Sequence, residues 1–575
     1  MNNLEISWVF LEIADLLEIK GANPFKIRSY RQASRLLASL DEDISVYWAE
    51  NRLTELPGIG QALAAKIHEL LDSGQLTYLK ELRQEVPAQL RQLLLIPGVG
   101  PRTVHTIHEH LGIANLEELK KAVSQQKLRE LPGLGTKSEL AIKGALAKMG
   151  RVSVGLPLGE AATVAYELAE AMGQLPVVEY IEVAGEIRRR EEFVHQAILV
   201  VGARLDLAED ILATFSSAPY VRKVINASPT DITVLLGIGG LKLRLVVVTP
   251  SEFPTQLCYY TGSKEHWLHL VAQAKKHQLE LTPHALIGKH GPIIIETEED
   301  LYRYLRLEYV IPELRAGKEE VLSAAQGTLP QVISLEQIRG DLHLHTNWSD
   351  GKESVASLAQ AAIERGYEYI AITDHSQRLR IARGLDARRL NKQIEEIKAV
   401  RPKFPNLTIL AGIEVDILAD GQLDLPNELL AKLDLVIASV HSGFKQDRET
   451  MTKRILSALR NPYVDILAHP SGRLIGRRPA YQVDLDTVLK EAQQLGKIME
   501  INSSPERLDL NAEWASKAKN LGLKLAINTD AHDAQRLADM EYGVSVARRA
   551  GLEAEDVVNT WPAVRLKWCF QSIRG

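Results

Sequence analysis

From Asp341 onward the chain alternates short apolar runs with amphipathic stretches such as SVASLAQAAIERG and DTVLKEAQQLG. Such alternation builds βαβ units and a parallel sheet or barrel. Potential metal ligands stand at the ends of the apolar runs: His343, His345, Asp350, His375, Glu414, His441, His469, Asp530 and His532. The local texts are DLHLHTNWSD, IAITDHS, LAGIEVDI, VIASVHSGF, DILAHPSG and LAINTDAH. A parallel α/β barrel gathers strand ends at one face, so ligands distant in sequence can converge there. Imidazole and carboxylate bind Zn²⁺, Mn²⁺ or Fe²⁺. His343 and His345 are two apart on an expected strand, as are Asp530 and His532, which puts each pair on one strand face. The expectation is a multinuclear metal hydrolase.

A chain of 575 residues exceeds one core, so several domains are expected. No apolar run is long enough for a membrane helix, and the first residues, MNNLEISWVFLEIADLLEIKG, carry acids within the apolar stretch and do not read as a signal peptide. The only cysteines are Cys258 and Cys569, which excludes a disulfide framework and a thiolate zinc site and suits a reducing cytoplasm. The formal net charge of −6 argues against simple electrostatic capture of nucleic acid. Backbone contacts to phosphate remain open.

Three similar texts punctuate the helical first 150 residues: LPGIGQALAAKIHELL from Leu56, IPGVGPRTVHTIHEHL from Ile96 and LPGLGTKSELAIKGAL from Leu131. Each places an apolar-Pro-Gly-apolar-Gly turn before a helix, with glycine pairs Gly58/Gly60, Gly98/Gly100 and Gly133/Gly135. Such a turn leaves a helix N-terminus whose free N–H groups bind phosphate without a basic side chain. This is the helix-hairpin-helix pattern of sequence-independent DNA binding. A solenoid of helix–helix turns is the plainer alternative. A β-rich α/β unit follows to about residue 250, with a helix expected over Leu158 to Met172, then a mixed segment opening LCYYTGSKEHWLHLVAQA; Gly327 to Leu335 reads as a linker.

This ordered set resembles the bacterial family X DNA polymerases of the PolX type. The opening EIADLLEIKGANPFKIRSYRQASRLL and the later GRLIGRRP, EINSSPERLDL and NTDAH carry the resemblance. It implies an N-terminal helical domain with the first hairpin (1–85), a fingers-like helix-hairpin-helix region (86–153), a nucleotidyltransferase α/β palm (154–253), a thumb (254–326), a linker (327–338) and a C-terminal PHP domain (339–575) built as a distorted (β/α)7 barrel. It further implies two or three divalent ions (Mn²⁺, Zn²⁺ or Fe²⁺). His343, His345, Glu414 and Asp530 would form one site, Glu414 would bridge to a second with His441 and His469, and Asp350, His375 and His532 would hold a third. Asp530, Glu414 and His343 become the catalytic candidates. Arg473, Arg477 and Arg478, which follow His469, are candidates for phosphate contact; the alternative is a solvated basic loop. Asn502 and Arg507 are further candidates for substrate contact or ligand support.

The palm departs from the family. Its Gly-Ser turn has Glu186 at the Ser position, the Asp-x-Asp positions fall on Gln196 and Ile198, and the third Asp falls on Lys242. No Mg²⁺ pair is expected there, and nucleotidyl transfer should be lost. The turn Tyr259-Tyr260-Thr261-Gly262-Ser263 survives; Tyr260, Gly262 and Ser263 are read either as a nucleotide-binding remnant or as an inherited packing turn. Lys66 matches the Schiff-base lysine of family X lyases, with a DNA-facing or solvated lysine as the alternative. The leading expectation is a DNA-repair phosphodiesterase (3′→5′ exonuclease, AP endonuclease or 3′-end cleaner) acting as a monomer on gapped, nicked, 3′-recessed or abasic DNA, away from membranes and on the nucleoid of the bacterial cytoplasm. The rivals are an active gap-filling polymerase with proofreading, a non-enzymatic DNA-end scaffold and a small-molecule phosphatase.

Overall fold

The parallel barrel expected from the alternation is present. In a computed structural model, all residues are described except 1–2, 39, 41–42, 74–75, 87–89, 91–92, 94–95, 97–98, 149–154, 219, 238–239, 477 and 575. Two compact units result, one of residues 1–156 with 205–247 and one of 157–204 with 248–575. The palm segment thus contributes residues to both units.

In the first unit, helices bury a core that includes Phe10, Ile13, Ile67, Leu93, Val104 and Leu119. Helices Gln61–Ser73, Pro101–Leu111 and Thr136–Lys148 each start directly after the second glycine of a hairpin turn. Gly58 and Gly133 take φ of +86° and +76°, a conformation that favours glycine. Antiparallel strands Val221–Ser228, Asp231–Leu236 and Lys242–Val248 form a meander, paired Ser228↔Asp231 and Leu235↔Lys242.

In the second unit, helix Leu158–Gly173 precedes the antiparallel strands Tyr180–Ala184 and Gln196–Gly202. The thumb-like segment comprises helices Phe253–Thr261, Lys264–Lys276, Glu298–Tyr304 and Glu320–Gln326 with a small antiparallel sheet. Its centre is ionic: Arg315, fully buried, meets Glu298 at 2.5 Å, and Arg188 meets the same carboxylate at 2.6 Å.

The seven parallel strands that follow are β1 (Gly340–Leu344), β2 (Tyr369–Ile372), β3 (Thr408–Asp416), β4 (Leu435–Ser439), β5 (Ile466–Leu467), β6 (Ile498–Asn502) and β7 (Leu525–Asn528), in that spatial order. A parallel bridge between Leu344 and Ala531 joins the two ends of the sheet. All but the first residue of β3 is buried, as are all residues of the other strands, because helices cover one face and the other is filled from within. Helix Ala563–Arg574 supplies Leu566 and Phe570 to that inner cluster. The expected linker is not free. Val332 bridges to Glu553, Ile333 donates to the carbonyl of Leu552 and is fully buried, so this apolar pair fastens the segment to the barrel.

Candidate metal centre

The nine sequence-predicted ligands lie in or just beyond the C-terminal ends of β1–β5 and β7. Glu414 is at their middle. Its Oε2 lies 3.5 Å from His343 Nε2, 3.6 Å from His345 Nε2 and 2.6 Å from His375 Nδ1. Its Oε1 lies 3.3 Å from His441 Nε2 and 3.0 Å from His469 Nε2. Asp530 Oδ1 is 3.0 Å from His345 Nε2 and 3.6 Å from His343 Nε2. Asp350 Oδ1 is 3.6 Å from His375 Nε2 and 3.4 Å from His532 Nε2.

Ligand atoms about 2.1 Å from one ion are separated by roughly 3.0–3.4 Å at octahedral or tetrahedral angles, which most of these distances approach. Among the described residues, the nitrogens His343 Nε2, His345 Nδ1 and Nε2 and His375 Nδ1 and the oxygen Glu414 Oε2 are buried without a hydrogen-bond partner. Buried polar atoms left unpaired are costly, and converging lone pairs are what a cation satisfies. The donor set therefore fits divalent ions. Among the described residues, three groupings bring ligand atoms within 4.8 Å of one another: His345, Asp350, His375 and His532; His343, His345 and Asp530; and His375, Glu414 and His441. The first adds His345 to the expected third site, and the third places His375 beside Glu414 as well.

One local expectation fails. Asp530 and His532 are not on a strand: β7 ends at Asn528, and Asp530 takes φ +55° in the turn beyond. The left-handed residue turns the chain back into the mouth, and His532 Nδ1 lies 2.8 Å from the carbonyl oxygen of Asp530. His469 also has positive φ, +27°. Non-glycine residues held this way cluster at functional sites.

A second set of acids, unread in the sequence, orients the ligands. Glu500 on β6 is fully buried and lies 2.7 Å from His343 Nδ1, and it accepts hydrogen bonds from the backbone N–H of His469 (2.7 Å) and the Asn528 amide (3.0 Å). Asp416 Oδ1 lies 3.3 Å from His441 Nδ1. Asp374 accepts from Thr346 and Ser349, fixing the loop that carries Asp350. Asp341 accepts from Thr529 next to Asp530. Such partners fix ring orientation and tautomer. Their signal was an acid embedded in a wholly apolar run, as in IMEIN. Asn502, a sequence candidate, donates to Asp530 Oδ2 at 3.1 Å, and Arg507 Nε is 3.5 Å from the same oxygen.

Charges in the cluster oppose its burial. Burial disfavours the ionised carboxyl of Glu414, yet His441, His375 and His343 hold it well below the usual range. Burial acts likewise on Asp530, and His343 and His345 outweigh it. His441, despite burial, is raised to about 10 by Glu414 and Asp416, whereas burial, with His532 and His375, pushes His345 down to about 3.

The palm positions show the opposite arrangement. Gln196 and Ile198 are half-buried on one strand, and Ile198 packs over the turn at Gly185, where an added Cβ would sit 3.1 Å from its Cδ1. Glu186 accepts from the N–H groups of His195 (2.6 Å) and Gln196 (3.1 Å), so its carboxylate caps the strand start. Arg188 donates to Thr261 Oγ1 at 2.8 Å as well as to Glu298, and Arg189 donates to the Thr261 carbonyl at 2.7 Å. Lys242 begins the strand Lys242–Val248. The Tyr260-Gly262-Ser263 turn joins two helices: Ser263 caps the second by accepting from His266 N–H at 3.1 Å, and a Cβ on Gly262 would meet His266 at 2.8 Å.

Among the described residues nothing lies within 4 Å of a Cβ added at Gly58, Gly60, Gly100, Gly133 or Gly135, while Gly98 and Arg477 lie outside the described residues. Arg473 pairs with Glu192 and donates to the carbonyls of Arg507 and Leu508, acceptors that occupy its planar fork. Arg478 donates to the Gly472 carbonyl at 3.0 Å and lies 4.2 Å over the Phe444 ring. Lys66 is on helix Gln61–Ser73, its Nζ 3.4 Å from the Ala62 carbonyl and 5.1 Å over the Tyr78 ring, which Lys26 also covers at 4.8 Å.

A seven-stranded parallel barrel with a histidine–carboxylate cluster at its strand ends defines a PHP-type metallohydrolase domain, and the PHP family model matches residues 341–504. Models of a helix-hairpin-helix domain (1–76), a helix-hairpin-helix tandem (90–148) and the DNA polymerase beta thumb (256–316) match elsewhere. The "DNA polymerase/3'-5' exonuclease PolX" of Bacillus subtilis strain 168 is 37% identical over 570 residues, 97% of each chain. The chain belongs to the bacterial PolX family. Over the barrel alone, proteins titled "Probable phosphatase" are similar: one from Thermoanaerobacter sp. strain X514 is 36% identical over 231 residues (38% of this chain, 89% of its own), and one from Shewanella oneidensis is 27% identical over 245 residues (41% and 92%). Among the described residues no helix is long and apolar enough to cross a membrane.

Proposed function

We propose that this chain is a metal-dependent DNA phosphodiesterase whose catalytic centre is the barrel mouth, with a palm that no longer transfers nucleotides. One observation carries the reading: buried, unpaired lone pairs of three histidines and Glu414 converge in a chain that also holds three helix-hairpin-helix turns. Divalent ions held there would supply Lewis-acid stabilisation of the charge that develops on a phosphodiester and a nucleophile at neutral pH. Glu414 offers one oxygen to each of two groups of imidazoles, so it is the residue suited to bridge. Asp530 and His345 complete one group, and Asp350, His375 and His532 another. Glu500 and Asp416 hold His343 and His441 in the tautomers that present Nε2. The open glycine turns would take the DNA backbone through N–H groups, independent of sequence and of net charge.

For the palm, the supporting observations are chemical. By the resemblance, an amide (Gln196), an aliphatic chain (Ile198) and an ammonium (Lys242) would stand at the family's carboxylate positions, and Arg188 and Arg189 donate to Thr261 and Glu298. The expected result is Mn²⁺-dependent shortening of the recessed 3′ strand of a duplex by the wild type, absent in Asp530→Ala. Equal digestion by both, or none with metal supplied, would sink the proposal.

A further inference from the structure

The loop 376–385 leaves the site directly after His375. Ile381 at its tip is 93% exposed, the highest value for a large hydrophobic side chain among the described residues. Exposure alone means little, since single apolar side chains on a surface are ordinary. What sets this one apart is how firmly it is presented. Ser376 N–H donates to the Glu414 carbonyl at 3.0 Å, and Leu385 N–H donates to the His375 carbonyl at 2.7 Å, so both ends of the loop are tied down beside His375 and Glu414. Gly384 approaches so closely that an added Cβ would sit 1.9 Å from the Ser376 carbonyl oxygen. Asp424 accepts from Arg378 N–H at 2.7 Å, and Arg383 donates to the carbonyl of Ser349, the neighbour of Asp350. The loop is thus braced against His375, Glu414 and the Asp350 turn together. Its remaining cations, Arg378 and Arg380, are exposed, and neither side chain makes an ion pair or hydrogen bond among the described residues.

A rigid apolar tip flanked by free guanidinium groups beside a phosphodiesterase centre matches the chemistry of a nucleic-acid strand end. Apolar side chains pack against or wedge between bases, and arginines take the flanking phosphates. We propose that this loop reads the end of a DNA strand: Ile381 packs on the terminal base, while Arg378 and Arg380 hold its phosphates. This rests on the phosphodiesterase reading above. A protein partner docking on Ile381 is the rival occupant.

The test uses the full chain and a recessed duplex with 2-aminopurine at its 3′ terminus, bound in Ca²⁺. Wild type should raise the fluorescence as the base leaves its neighbour, and Ile381→Ala should abolish the rise. In Mn²⁺, kcat/KM for DNA should fall about tenfold more than that for bis-p-nitrophenyl phosphate in Ile381→Ala, and again in Arg378→Ala with Arg380→Ala. An equal fluorescence rise with an unmoved ratio would overturn the proposal and leave a protein partner as the occupant. If wild type cleaves neither substrate, the phosphodiesterase reading falls, while the fluorescence arm still decides the loop.

Discussion

The barrel mouth and the palm turn differ in what their polar atoms have left to do. At the mouth, nitrogens of His343, His345 and His375 and an oxygen of Glu414 are buried with no hydrogen-bond partner. At the palm, Glu186 is spent on two backbone N–H groups, Arg188 on Glu298, and Ile198 covers the glycine turn. Lone pairs kept unsatisfied in a buried cluster are costly unless a cation takes them, whereas the Glu186 and Arg188 side chains already have local partners.

The strongest way to break this contrast is Glu414→Gln. It removes the charge facing both groups of imidazoles and should lower DNA hydrolysis by about 10³-fold, the rate equivalent of several kcal/mol of charge stabilisation. Steady-state cleavage checks it, and a loss under tenfold would contradict a bridging role. Next comes acid stability on the palm and thumb side. Burial raises the Glu298 carboxyl, but Arg315 and Arg188 outweigh it and hold it at about 2, against an ordinary 4.5. Its folded pKa is depressed, so the stabilisation of roughly 3 kcal/mol is present above pH 4.5 and is lost as pH falls towards 2. Denaturant melts at stepped pH should show that decline in the wild type and not in Glu298→Gln. The smallest effect is Glu500→Gln, which leaves the ligand set intact but loosens His343 and His469; metal affinity by calorimetry should drop about 10–100-fold.

The barrel was legible because βαβ alternation and strand-end ligands are periodic features of one chain segment. The strand-end placement of the nine candidate residues was legible for the same reason. Glu500, Asp341 and Asp374 were not, because an acid inside an apolar run reads as an exception until its partners in other strands are seen. The Asp530–His532 pair was placed on a strand by spacing alone, and the left-handed turn at Asp530 has no periodic signature. Arg473 shows a similar limit: composition marks a basic loop but not the Glu192 that pairs with its guanidinium from a segment far away in sequence.

The central claim is that hydrolysis survives and nucleotidyl transfer does not. A one-nucleotide-gapped duplex with a labelled primer, all four nucleotides and both Mg²⁺ and Mn²⁺ tests it in one gel. The account predicts a primer that only shortens in the wild type and stays unchanged in Asp530→Asn. A primer that grows by one nucleotide, above all in Asp530→Asn, would contradict it.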